Sequence, residues 1–175
     1  MKLTGLEIKR QIELGHIIID PFDPAQLNPN SYNLRLGSML IVLDEVNLDL
    51  HKAPREDRFT IPEEGYLLLT ENVYLGHTVE IISSDLFVPI IDGRSTLGRY
   101  GMSIHITAGF GDLGFKGCFT LELEARHRNI RVYPNDLVAQ VSFESVQGEI
   151  ELYKGSYQDQ REPRGPKPLQ PWNPF

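Results

Sequence analysis

Arg94, Ser95, Thr96, Arg99, Asp112 and Glu122 all fall within the thirty-one residues from Asp92 to Glu122. Guanidinium forks and hydroxyls bind phosphate oxygens, and glycines let backbone amides approach them. The mixture therefore suits a small anionic ligand better than a packed core. Arg94 and Arg99 are each able to clamp phosphate in bidentate fashion, with Ser95 donating to an ester oxygen. Two surface arginines paired with Asp92 or another acid would leave the same pattern. Gly109 to Gly117 then holds four glycines in nine residues around Asp112 and Phe115. That density permits main-chain contact with a base or sugar, and equally the turn geometry of a hairpin. Phe115 could stack flat on a sugar ring and leave no room for an added hydroxyl.

Glu122 closes the stretch. From Cys118 to Ala125 the apolar Phe119, Leu121, Leu123 and Ala125 share one face of a strand, and Glu122 shares the other with Thr120 and Glu124. A solvated face has this pattern. So has a face closed against another subunit, where burial would raise the pKa of Glu122 and suit it to shuttle protons near neutral pH. His105, on the polar face of a strand expected from Gly101 to Thr107, has the character of a hydrogen-bonded structural residue.

The elements that must position these groups are mostly strands. A capping box of Thr4 and Glu7, followed by Leu6, Ile8, Ile12 and Leu14 and stopped by Gly15, predicts one helix over residues 4 to 15. DPFDPAQLNPNS predicts a loop. From Tyr32 the period becomes alternating, and strands are expected around Tyr32 to Gly37, Met39 to Leu43, Gly65 to Thr70, Val79 to Ile82 and Leu86 to Ile91. No second helical pattern precedes residue 150, so the expected class is mainly β, a sandwich or barrel. Arg94 to Arg99 reads as a polar turn after a buried strand.

At 175 residues the chain is expected to form one domain, over residues 1 to 153, with a distinct end over 154 to 175. That end carries five of the twelve prolines, with four basic residues against two acidic ones. Its composition reads as a disordered tail, while Tyr157, Trp172 and Phe175 favour a lid over a ligand or an arm on a neighbour. The net charge of -7 argues against broad nucleic-acid binding. A single cysteine excludes an intrachain disulfide and any CxxC zinc site, and the N-terminus has no apolar run of signal or membrane length, so the expected compartment is the cytoplasm.

GRSTLGRYGMSIHITAGFGDLGFKGCFTLEL resembles the signature of the dCTP deaminase family, whose members read close to GRSSLGRLGL-VHVTAG-IDPGF-G-ITLEL. The likeness continues through Tyr133-Pro134 and Ala139 to Phe143, and upstream through Asn30 to Gly37. It implies a distorted jelly-roll β-barrel akin to the trimeric dUTPases, assembled as a homotrimer with active sites between subunits. Glu122 takes the place of the family's general acid and base, which activates water against C4 of cytosine. No zinc is implied, and the H-x-E…P-C-x-x-C signature of the zinc deaminases is absent. By the same likeness Ser95 and Arg99 sit beside the base and phosphates, with Arg94 and Thr96 in the same phosphate-binding motif. Thr107, Ala108 and Asp112 line the base and sugar.

Mg2+ is implied on the triphosphate, and dTTP as a feedback inhibitor. In the tail, Tyr153, Tyr157 and Gln160 match positions that close over the triphosphate. The lysine common in the family's K-Y-x-x-Q motif is Ser156 here, and the glycine usual after it is Glu162. Thr107-Ala108-Gly109-Phe110 looks like the bifunctional members, which also hydrolyse dUTP to dUMP and pyrophosphate, with Asp112 orienting the second water. Gly111 departs from the isoleucine or valine usual there. A monofunctional deaminase releasing dUTP, a plain dUTPase and a non-catalytic nucleotide-binding trimer are the alternatives.

Overall fold

A computed structural model describes residues 1–170; Trp172 and Phe175 lie outside the described residues. The first helix, α1 (Gly5–Glu13), starts where the capping box places it, with Thr4 Oγ1 accepting from the Glu7 amide at 3.3 Å. Its inward face differs from the expected stripe. Ile8 is fully buried and Ile12 packs on the core, while Leu6 and Leu14 point to solvent, because i and i+4 fix one helix face and the two leucines lie off it.

Among the described residues, four antiparallel sheets wrap one core. The five-stranded sheet holds β4 (Glu56–Thr60), β3 (Met39–Leu43), β6 (Val73–His77), β11 (Thr120–Ala125) and β9 (Met102–Ser103), in that order across the sheet. A second sheet sets β13 (Leu137–Ser145) between β2 (Tyr32–Arg35) and β8 (Phe87–Gly93). A third sets β7 (Ile81–Ser84) between β1 (Ile17–Asp20) and β10 (Lys116–Gly117), and β12 (Ile130–Val132) pairs with β5 (Tyr66–Leu68). Tyr32, Leu34, Tyr74, Leu121, Leu123 and Phe143, each at most 1 % exposed, form the centre where these sheets meet. The mainly β class expected from the alternation is the class observed.

Three local expectations are corrected. Arg94 to Arg99 does not form a turn: Ser95–Tyr100 is a second helix, α2, ended by Gly101 in the left-handed region at φ 82°. None of its residues is buried, so no apolar stripe announces it. The strand expected through Thr107 stops at Ser103. Beyond it the backbone turns its amides of residues 106 and 107 toward the Glu122 carboxylate instead of a neighbouring strand. No strand is expected from the residue pattern over 56 to 60, where Glu56–Thr60 forms β4.

The end of the chain is packed against the barrel. Tyr153 N donates to Leu113 O at 2.7 Å, Asp159 N to Lys116 O at 2.7 Å, and Leu169 N to Leu50 O at 2.7 Å. Residues 153 to 169 thus form a strap anchored at both ends. Glycines seat it: a β-carbon on Gly117 would lie 3.0 Å from Gln160 O, and one on Gly114 would lie 2.8 Å from the Leu152 side chain. The close approach that the glycine-rich segment allows is therefore taken up by the chain's own strap.

Candidate active site

Glu122 sits mid-strand on β11, held between β6 and the turn that follows β9. Its own amide donates to Ile104 O at 2.9 Å. Its Oε2 accepts from Ile106 N at 2.5 Å and more distantly from Thr107 N at 3.4 Å. Strand alternation turns Leu121 and Leu123 into the core and leaves Glu122 on the opposite, half-buried face. The backbone donors fix the orientation of the carboxylate without consuming its second oxygen.

That carboxylate faces a cavity of about 570 Å³. Ala108, Asp112, Phe115, Tyr153, Tyr157 and Gln160 line it with Glu122, so seven of the residues singled out in the sequence are brought together. Asp112 is exposed at the opening. Phe115 does not present a free face to a sugar: it is 8 % exposed and packs on Phe119 and Tyr153, with ring centroids 5.2 and 5.7 Å apart. Thr107 enters through its amide alone. Gln160 is 4 % exposed, and its Nε2 donates to Cys118 O at 2.5 Å and Thr120 Oγ1 at 3.3 Å.

Arg94, Ser95, Thr96 and Arg99 stand elsewhere. Arg94 and Arg99 line a second cavity of about 880 Å³, with His127, Arg128 and Arg131. Arg94 Nη1 donates to Leu137 O at 3.0 Å. Ser95 and Thr96, on the exposed α2, line neither cavity. Within one chain the acid and the arginine pair therefore belong to different surfaces.

Sequence reasoning missed two polar lining residues and underread a third. Thr120 shares the Glu122 face at a spacing of two, which was signal enough; Arg164, in the proline-rich strap, had none. His105, read as structural, also lines the cavity, with Nε2 3.9 Å from Asp92 Oδ1.

The model of the dCTP deaminase-like family matches residues 2–146. The chain belongs to that family. Over 159 residues it is 48% identical to the "dCTP deaminase, dUMP-forming" of Cytophaga hutchinsonii, covering 90% of this chain and 91% of the relative. Over 160 residues it is 47% identical to the Hathewaya histolytica protein of the same name, covering 91% and 92%. The crystal structure of 2'-deoxycytidine 5'-triphosphate deaminase from Agrobacterium tumefaciens superposes with a TM-score of 0.67 at 19% identity, over 83% of this chain and 48% of that one. The chain thus spans about half the length of that structure, and the likeness fixes the fold alone. No described helix is long and apolar enough to cross a membrane.

Proposed function

We propose that the chain deaminates dCTP and hydrolyses the resulting dUTP to dUMP and pyrophosphate. The observation that carries this reading is the Glu122 carboxylate, held by the Ile106 amide with one oxygen open to the cavity. Glu122 takes a proton from water as its oxygen bonds to C4 of cytosine. It then returns the proton to the exocyclic nitrogen as the C4–N bond breaks and ammonia leaves. The relatives named for dUMP formation support the second step, in which Asp112 at the opening orients a water against the phosphate chain.

A second copy of the chain completes the site in this reading. The placement of Arg94 and Arg99 on a separate cavity supports that arrangement, since it leaves Arg164 as the cation lining the Glu122 cavity among the described residues and a triphosphate needs more. A homotrimer with sites between subunits is the assembly proposed. The cavity's donors fit a magnesium ion carried by the nucleotide. Asp112 and Glu122 are the carboxylates lining it, and among the described residues no three His, Cys, Asp or Glu side chains gather as ligands. Such an ion, when bound, neutralises charge on the phosphate oxygens.

Incubation of the purified protein with dCTP and Mg2+, followed by anion-exchange separation, tests the proposal. Accumulation of dUMP without a free dUTP peak is expected. Accumulation of dUTP would retain deamination and remove the hydrolytic half, and unchanged dCTP would overturn the reading.

A further inference from the structure

Two segments outside the central stretch, Asn30 to Gly37 and Ala139 to Phe143, meet at one side chain, Gln140. Gln140 lies on β13, paired with Asn33 of β2 on one side and with Asp92 of β8 on the other. Its side chain bridges the same two neighbours. Ser31 Oγ donates to Gln140 Oε1 at 2.7 Å, and Gln140 Nε2 donates to Gly93 O at 3.1 Å. Gly93 is the last residue of β8, and Arg94 follows it as the N-cap of α2.

The orientation of that amide is fixed from both ends. Gly93 O can only accept, so Nε2 must face it. Ser31 Oγ accepts from Asn28 Nδ2 at 3.2 Å, which leaves its single proton for Oε1. Ser31 is 8 % exposed, and its loop is held too: Asn28 N donates to Ser31 O at 2.8 Å, and Gly5 N of α1 to Pro29 O at 2.7 Å. A β-carbon on Gly5 would overlap Asn28 O, so the loop before β2 is seated directly against α1. Helix α2, by contrast, has no side-chain cap at its start. At the final pair of the β8–β13 ladder, Ala139 with Gly93, two side-chain bonds tie its entry to the barrel: Gln140 to Gly93 O, and Arg94 Nη1 to Leu137 O at 3.0 Å.

We infer that Ser31 is a positioning residue for the arginines of α2: it orients the Gln140 amide, which fixes the Gly93 carbonyl and with it the direction in which Arg94 and Arg99 leave the sheet. The inference rests on the reading that these arginines hold the nucleotide's phosphates. Without the Ser31 hydroxyl, Gln140 Oε1 loses its donor, the amide is free to turn, and the hold on Gly93 O weakens. Bidentate contact between a guanidinium and a phosphate does not tolerate the resulting displacement of the Arg94 backbone. Ser31 and Gln140 line neither of the two cavities described above, so the effect of Ser31 on a ligand there passes through the start of α2.

The test is Ser31→Ala in the full chain, with steady-state kinetics on dCTP and calorimetric binding of inorganic tripolyphosphate, both with Mg2+. KM for dCTP is expected to rise on the order of 10-fold with kcat within about threefold of wild type, and tripolyphosphate to bind more weakly by a similar factor. Gln140→Met breaks the same chain of bonds, so adding Ser31→Ala to it is expected to change neither quantity further. A folded Ser31→Ala protein with unchanged KM and tripolyphosphate affinity overturns the role, whatever its melting temperature. So does a fall in kcat at constant KM, or losses that add in the double variant. A wild-type chain that neither turns over dCTP nor binds tripolyphosphate overturns it as well. If the wild type binds tripolyphosphate without turning over dCTP, the deaminase reading fails by itself. The role of Ser31 then stands on weaker tripolyphosphate binding by Ser31→Ala, with no further loss in the Gln140→Met background, and falls without it.

Discussion

Gln160 holds both polar groups of the Cys118 backbone: Cys118 N donates to Gln160 O at 3.0 Å, and Gln160 Nε2 donates to Cys118 O at 2.5 Å. One residue of the strap thereby seals the start of the strand that carries Glu122. Burial pushes the Cys118 thiol up to about 11. At pH 8 about one thiol in a thousand is then the reactive thiolate. Wild-type protein is expected to resist iodoacetamide, and Gln160→Ala, with the strap released, to label at least about tenfold faster. Mass spectrometry of timed samples reads the difference, and equal rates would separate the burial of Cys118 from the strap.

Glu122→Gln is expected to reduce dCTP turnover by about 10² to 10⁴. The amide oxygen still accepts from Ile106 N, so the turn after β9 keeps its anchor and the melting temperature should change little. Steady-state rates beside a thermal melt check both halves.

Asp112→Asn keeps the shape of the opening and removes its charge. Deamination is expected to continue while dUTP replaces dUMP as the product seen by anion exchange. Loss of both activities together would place Asp112 in nucleotide binding alone.

Mixing two inactive proteins tests the shared site. Glu122→Gln and Arg99→Ala subunits, exchanged at equal amounts, are expected to regain activity in about one quarter of sites, those with an intact acid from one chain and an intact arginine from the next. Unmixed activity after verified exchange would show that each chain completes its own site.

His77 gives a stability prediction with a definite sign. Burial lowers the pKa of its imidazole, against a weaker upward pull from the Thr78 carbonyl, which accepts from Nδ1 at 2.9 Å. Below about pH 6.5 the unfolded chain binds a proton that the fold refuses, so this contribution is present above that pH and is lost as the pH falls toward the depressed folded value. The slope is at most about 1.4 kcal/mol per pH unit. Urea unfolding at pH 7.5 and 5.5 should show a smaller difference for His77→Gln than for wild type.

Features set by neighbours in sequence were legible from the chain alone. The Thr4 cap, the bounds of β3 and the two faces of β11 depend on local pairing or on a period of two, and each stands where the residue pattern places it. Features set by distant contact were not. Strand β4 reads EDRFT, charged as edge strands often are, and its pairing with β3 is invisible in its composition. Helix α2 packs only Leu97 on the core of its own chain and fully buries no residue. Arg164 reaches the site only because the strap folds back across β11, and proline-rich composition points away from such order.

The strap also bears on timing. In the proposed reaction dUTP exists between two steps, and strap residues Tyr153, Tyr157 and Gln160 line the cavity; were the strap to close over the nucleotide, its exit would require the Tyr153–Leu113, Gln160–Cys118 and Leu169–Leu50 contacts to part. The ratio of dUMP to escaped dUTP then becomes a kinetic partition, hydrolysis competing with detachment. Loosening the seat, as Gly117→Ala would by crowding Gln160, raises the leak of intermediate without touching either reacting group.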